Sequence, residues 1–261
     1  MQTHNQPLRQ LFNKVPEVTL FFWVIKILAT TVGETAADFL NVNLNFGLTG
    51  TSTIMAALLT FFLILQVRGN RYVPWLYWLT VVLISIVGTL VTDNLVDHFG
   101  VSLETTTLIF SVALAVTFAL WYQVEKSLSI HTIFTVRREL FYWAAILFTF
   151  ALGTAAGDLV SESMNLGYLN SALLFGGMIA AITASYYLFR SNAVLFFWCA
   201  YILTRPFGAS CGDLLSQSPA DGGLGLGTVA TSAIFLTTIA GLVGYLSATQ
   251  RDFLPPRILE K

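Results

Sequence analysis

Four aspartates, Asp38, Asp93, Asp158 and Asp213, each close the same pattern: an aromatic-tryptophan pair, nine residues, a glycine, four residues, then the acid. The pairs end in Trp23, Trp78, Trp143 and Trp198, and the glycines are Gly33, Gly88, Gly153 and Gly208. One carboxylate recurring four times at fixed register is a candidate cation site. Side chains three or four residues apart share a helix face, so the next turn adds Asp97, Glu162 and Gln217 four residues on, and Asn41 three residues on in repeat one. Glu34 stands one turn before Asp38. An all-oxygen, anionic set suits hard cations such as Mg²⁺, Ca²⁺ or Mn²⁺, with the four repeat aspartates as metal ligands or proton carriers. Clustered carboxylates resist simultaneous ionisation, which makes coupling to protons physically reasonable. The bland alternative is that each aspartate caps the N-terminus of the returning helix across a short turn.

Such groups must be held by something, and the composition says what. The 261 residues are 56% hydrophobic and 10% charged, well short of the roughly 25% charged residues of soluble domains. Eight apolar runs, near 17–40, 46–67, 72–96, 103–124, 139–160, 166–189, 193–215 and 224–247, have the length needed to span a bilayer. The reading is an all-α integral membrane protein of eight helices, arranged as four parallel tandem hairpins in one membrane domain. The first run is too long for a signal peptide and reads as a retained span.

Orientation follows from charge. Arg9, Lys14, Arg68, Arg71, Lys126, Arg137, Arg138, Arg190, Arg251, Arg257 and Lys261 fall at the termini and after even-numbered spans, which puts both termini in the cytoplasm. The other side carries Glu34, Asp38, Asp93, Asp97, Glu104, Asp158, Glu162, Asp213 and Asp221 with no Lys or Arg in its connections. A net charge of −1 hides this polarity.

The repeats are spaced by 55, 65 and 55 residues and run near 17–70, 71–126, 138–190 and 192–248, with a linker near 126–138. Repeats one and three also share an Asn-x-Gly motif, Asn45 to Gly47 and Asn165 to Gly167. Two spans per repeat make all four parallel, so the carboxylates lie at similar depth. The chain resembles a bacterial integral-membrane family built of four tandem two-transmembrane repeats with a characteristic tryptophan. That family is catalogued by its repeat without an assigned activity, so the resemblance implies a fold, covers essentially the whole chain, and assigns no chemistry.

The tryptophans read as interfacial anchors and the glycines as small-xxx-small packing points. Lys26 lies one turn from its tryptophan and reads as a residue that snorkels to the interface. Arg205, about 10 Å into span seven and followed by Pro206, has no route to water through lipid and should face the interior, with Glu34 as partner and a gate as its role. A guanidinium on the axis argues for a carrier or a closed bundle over an open pore.

The expected function is therefore an inner-membrane transporter of a hard cation in a bacterium. The alternatives are a carrier of a small cationic or zwitterionic organic solute, near Arg205 and Tyr201, and a structural or sensory bundle that transports nothing. Cys199 and Cys211 share one span and predict no disulfide, and the scattered His4, His98 and His131 make no zinc or haem site. No nucleophile-base set points to an enzyme, the stretch PADGGLGLGT lacks a phosphate-binding lysine, and no basic stripe fits nucleic acid. Expected partners are lipid and a cation or small solute, with no cofactor beyond a bound divalent ion. Ring or two-halves packing, and oligomeric state, stay open at this point.

Overall fold

The computed structural model describes residues 13–43, 46–189 and 192–252; Asn45, Arg9, Arg190, Arg257 and Lys261 lie outside them. The described residues form eight long helices and no strand: α1 (Leu20–Asp38), α2 (Gly47–Arg68), α3 (Pro74–Asp93), α4 (Leu103–Glu125), α5 (Val136–Asp158), α6 (Tyr168–Phe189), α7 (Ala193–Ser216) and α8 (Gly227–Thr249). Each is long and apolar enough to cross a membrane. The starts follow local chemistry: Thr19, Ser102, Thr135 and Asn192 cap α1, α4, α5 and α7, and Pro74 opens α3.

The odd helices form a closed inner ring, α1 against α3, α3 against α5, α5 against α7, and α7 back against α1. Buried residues make up 50–67% of the apolar windows of these helices but only 11–28% of those of α2, α4, α6 and α8, which form the lipid-facing outer layer. Each even helix packs chiefly on the first helix of the following repeat, and α8 returns onto α1. The hairpins are thus opened in space, and each repeat is completed by its neighbour. That arrangement settles the packing as a four-fold ring.

Glycine makes the ring possible. A Cβ on Gly33 would sit 2.0 Å from Ser85 Oγ, one on Gly88 2.6 Å from Phe150 Cβ, one on Gly153 2.3 Å from Arg205 Cγ, and one on Gly208 2.6 Å from Thr30 Cβ. Every one of these partners stands three residues before the glycine of the adjoining repeat. Without a hydrophobic drive between helices in lipid, such close approach is the main source of association. Gly208→Ala should cost about 1–3 kcal/mol by overpacking, read as a lowered melting temperature in detergent; Gly177→Ala, whose Cβ would meet open space, is the control that should melt like the parent.

The aromatic pairs repeat the cyclic order. Phe22 packs on Trp78 (ring centroids 5.6 Å), Tyr77 on Trp143 (5.6 Å), Tyr142 on Trp198 (6.3 Å) and Phe197 on Trp23 (5.7 Å). Trp78, Trp143 and Trp198 are buried and Trp23 half-buried. The expected interfacial belt is therefore corrected to an internal aromatic collar, because each indole finds the preceding repeat's ring before it can reach lipid.

The end of the ring that carries the tryptophans is sealed by the segment preceding α1. Lys14 Nζ donates to Glu139 Oε2 (2.7 Å) and to the Val67 carbonyl (2.8 Å), while Gln66 and Trp143 donate to Glu139 Oε1. Beside it, His131 Nδ1 meets Glu17 Oε1 at 3.2 Å, and the neighbouring carboxylate raises the imidazole pKa above its usual value. A raised folded-state pKa gives stability that is complete below the unfolded value of about 6.5 and disappears as pH rises through the folded one. Wild type should therefore lose melting temperature between mildly acidic and mildly basic buffer, and His131→Asn should shrink that loss.

Candidate functional site

At the opposite end the four aspartates reproduce the ring order. Asp38 lies in electrostatic range of Asp213, Asp93 of Asp38, and Asp158 of both Asp93 and Asp213; Glu34 is in range of all four. Asp213 is 6% exposed and the other three are half-buried. No hydrogen bond or ion pair is formed by any of these four side chains among the described residues. The capping alternative fails, since the N-caps of α2, α4 and α8 are Phe46, Ser102 and Leu226.

The second tier is less ordered than helical spacing implies. A π turn follows Asp38, Asp93 and Asp158, at Phe39–Asn43, Asn94–His98 and Leu159–Ser163. Its wider turn rotates the residues beyond the aspartates away from the positions an α-helix would give them. Asp97 and Glu162 are exposed, Glu162 accepting from the Tyr168 hydroxyl at 3.2 Å, and Asn41 and Gln217 are half-buried. No three acidic, imidazole or thiol groups among the described residues converge as metal ligands. The expected metal set of Asp38, Asp93, Asp158 and Asp213 is thus a ring of separate carboxylates and not a preformed cage.

Beneath the ring sits Arg205, fully buried. Its Nη2 donates to Glu34 Oε2 at 2.8 Å, to Thr154 Oγ1 at 2.7 Å and to Thr89 Oγ1, while Nη1 donates to the Thr30 carbonyl at 3.3 Å. The expected Arg205–Glu34 pair is present. Glu34, Thr89 and Thr154 are the same repeat position, one residue after the glycine, and repeat four has Ala209 there. Three repeats therefore present an oxygen toward the axis, and the fourth contributes the cation that fills the space. The signal for this centre lies one residue past each repeat glycine, in two hydroxyls as well as one carboxylate.

Lys26 departs from its expected snorkelling. It is fully buried, with Nζ 4.1 Å from the Phe150 ring centroid and 4.2 Å from that of Tyr201. The inner ring, wrapped by the outer helices, leaves this side chain no path to the interface, and cation–π contact replaces hydration. Further toward the tryptophan end, the Tyr77 and Tyr142 hydroxyls share a 2.5 Å hydrogen bond. Below the acidic ring the axis is thus occupied by buried side chains.

A family model described as Repeat of Unknown Function (DUF347) matches residues 21–72, 76–127, 141–192 and 196–252. No curated protein and no solved structure matches the chain. Each matched unit holds one tryptophan-glycine-aspartate set and one quarter of the ring, and on that coverage the chain belongs to the family of the Repeat of Unknown Function (DUF347).

Proposed function

We propose that this protein is a cation transporter of a bacterial inner membrane, admitting its substrate at the acidic end and gated by the Arg205–Glu34 pair. The observation that carries the reading is a ring of four unpaired, partly exposed aspartates directly above a buried guanidinium. Fixed carboxylates at a mouth raise the local cation concentration. Since the carboxylates stand apart, a hard ion would enter with part of its hydration shell, as Mg²⁺ prefers. The Lys and Arg residues of the tryptophan end, Lys14, Arg68, Arg71, Lys126, Arg137, Arg138 and Arg251, support an orientation with that end in the cytoplasm and the acidic end outside.

A second reading takes a small organic cation as substrate. It is supported by what the interior already holds: a guanidinium in a cradle of one carboxylate and two hydroxyls, and an ammonium between two aromatic rings. Both readings share the aspartates and differ in competitor. Uptake of Mn²⁺, Mg²⁺ or Ca²⁺ into proteoliposomes, with and without a pH gradient, should vanish when all four aspartates become asparagine while the protein stays folded. Flux unaltered by that change removes the role of the ring. Inhibition of flux by guanidinium but not by Mg²⁺ selects the organic cation.

A further inference from the structure

From Arg205 toward the tryptophan end, the inner ring holds buried polar atoms that have no hydrogen-bond partner among the described residues. Arg205 Nε, Lys26 Nζ, Thr149 Oγ1 and the Tyr201 hydroxyl are all buried without a hydrogen-bond partner among the described residues, and so is Asp252 Oδ1 at the tryptophan end. The four residues that carry the first set are wholly inaccessible, and all lie on inner-ring helices. Buried polar groups in native proteins are almost always paired with protein or with ordered water. Arg205, Lys26 and Tyr201 adjoin one another, and ordered water is the partner that would satisfy their orphaned atoms.

The titratable groups around them form a continuous series. Glu34 meets Arg205, and Arg205 is in electrostatic range of Lys26. Lys26 Nζ lies over Tyr201, whose hydroxyl is in range of Tyr77 and Tyr142. Tyr77 hydrogen-bonds Tyr142, its ring packs on Tyr72 at 5.6 Å, and the Tyr72 hydroxyl donates to Asp252 Oδ2 at 2.5 Å. Together these residues extend from the aspartate ring to the opposite end.

We infer that the axis of the ring is a proton path, running from the aspartates and Glu34 past Arg205 to Lys26, Tyr201, Tyr142, Tyr77, Tyr72 and Asp252, with water bridging the orphaned atoms. At each hop one O–H or N–H bond breaks and one forms on the next acceptor, so one proton crosses and no electron moves. Arg205 keeps its protons and orients the bridging water, its charge offset by Glu34. The residues of the route are buried, and a proton crosses it by exchange of O–H and N–H bonds, a mode of transfer not open to a hydrated metal ion. The inference depends on the transporter reading for its use, since a proton leg would drive the carrier, but its test does not.

Proton entry into proteoliposomes is followed with an entrapped pH dye while a valinomycin-set K⁺ gradient supplies the driving potential and no divalent or organic cation is present. Wild-type vesicles should take up protons faster than protein-free vesicles. The pair Tyr77→Phe with Tyr201→Phe keeps every ring and removes two hydroxyls, and it should slow uptake by about tenfold or more. Lys26→Met, which keeps the apolar stem, should do the same. Each variant is first shown to be monodisperse and to melt cooperatively. Wild-type vesicles no faster than protein-free ones, or a double variant as fast as wild type, overturns the path. Because divalent and organic cations are left out, failure of the cation-transport reading leaves this result unaffected, and metal uptake without proton flux overturns the path alone.

Discussion

Arg205→Met should destabilise the folded protein by roughly 3–5 kcal/mol, the usual consequence of leaving one partner of a buried ion pair uncompensated. The substitution strands Glu34, 7% exposed, whose Oε2 accepts from the guanidinium, and it removes the donor that holds Thr89 and Thr154. For a chain of this size that corresponds to a fall of about 10 °C in melting temperature. Adding Glu34→Gln to Arg205→Met should recover much of the loss, because the stranded charge is gone and the threonine hydroxyls can turn to the amide. Coupling of this kind separates a true pair from two independent core residues. Equal melting of wild type and Arg205→Met, or strictly additive losses in the double variant, would show that the pair contributes nothing. Gly153→Ala offers a second route to the same state, since its Cβ would sit 2.5 Å from Arg205 Cβ and push the side chain off the axis.

Much of this centre could be read from residue types alone. Arg205 inside an apolar run demands an internal partner, and Glu34 is an acid without a counterpart at its position in the other repeats. The register of Trp, Gly and Asp likewise fixed the number of repeats and their parallel sense. What the sequence could not show is which helix neighbours which. Hairpin logic pairs α1 with α2, whereas the close approaches at Gly33, Gly88, Gly153 and Gly208 pair odd helices around a ring and push the even ones outward. The tryptophans depend on the same neighbours: a ring of parallel helices brings Phe22, Tyr77, Tyr142 and Phe197 against the adjoining indoles, a contact that depth along one helix does not encode. The second tier is set less firmly by spacing. Asp97 and Glu162 sit in π turns, where 3.6 residues per turn no longer gives the register, yet both remain in electrostatic range of the ring, Asp97 of Asp38 and Asp93, Glu162 of Asp38, Asp158 and Asp213.

Lys26 is where local rules and the observed structure conflict most, and conflicts of this kind are expected at functional positions. An ammonium with no hydrogen-bond partner is costly to bury, by several kcal/mol for a polar group alone, while cation–π contact with two rings returns about 2 kcal/mol. A methionine of similar length would fill the space between Phe150 and Tyr201 without either contribution. Lys26→Met should therefore raise stability, by on the order of 2 kcal/mol, visible as a melting temperature several degrees above wild type. The gain should come with loss of proton uptake, which is the stability–activity opposition found where a residue is kept for its chemistry. A variant that melts lower than wild type would mean that the ammonium is satisfied and structural. One that melts higher and still carries protons at the wild-type rate would keep the energetic argument and remove Lys26 from the path. Only the combination of higher melting and lost uptake fits a lysine retained on the axis against its own solvation cost.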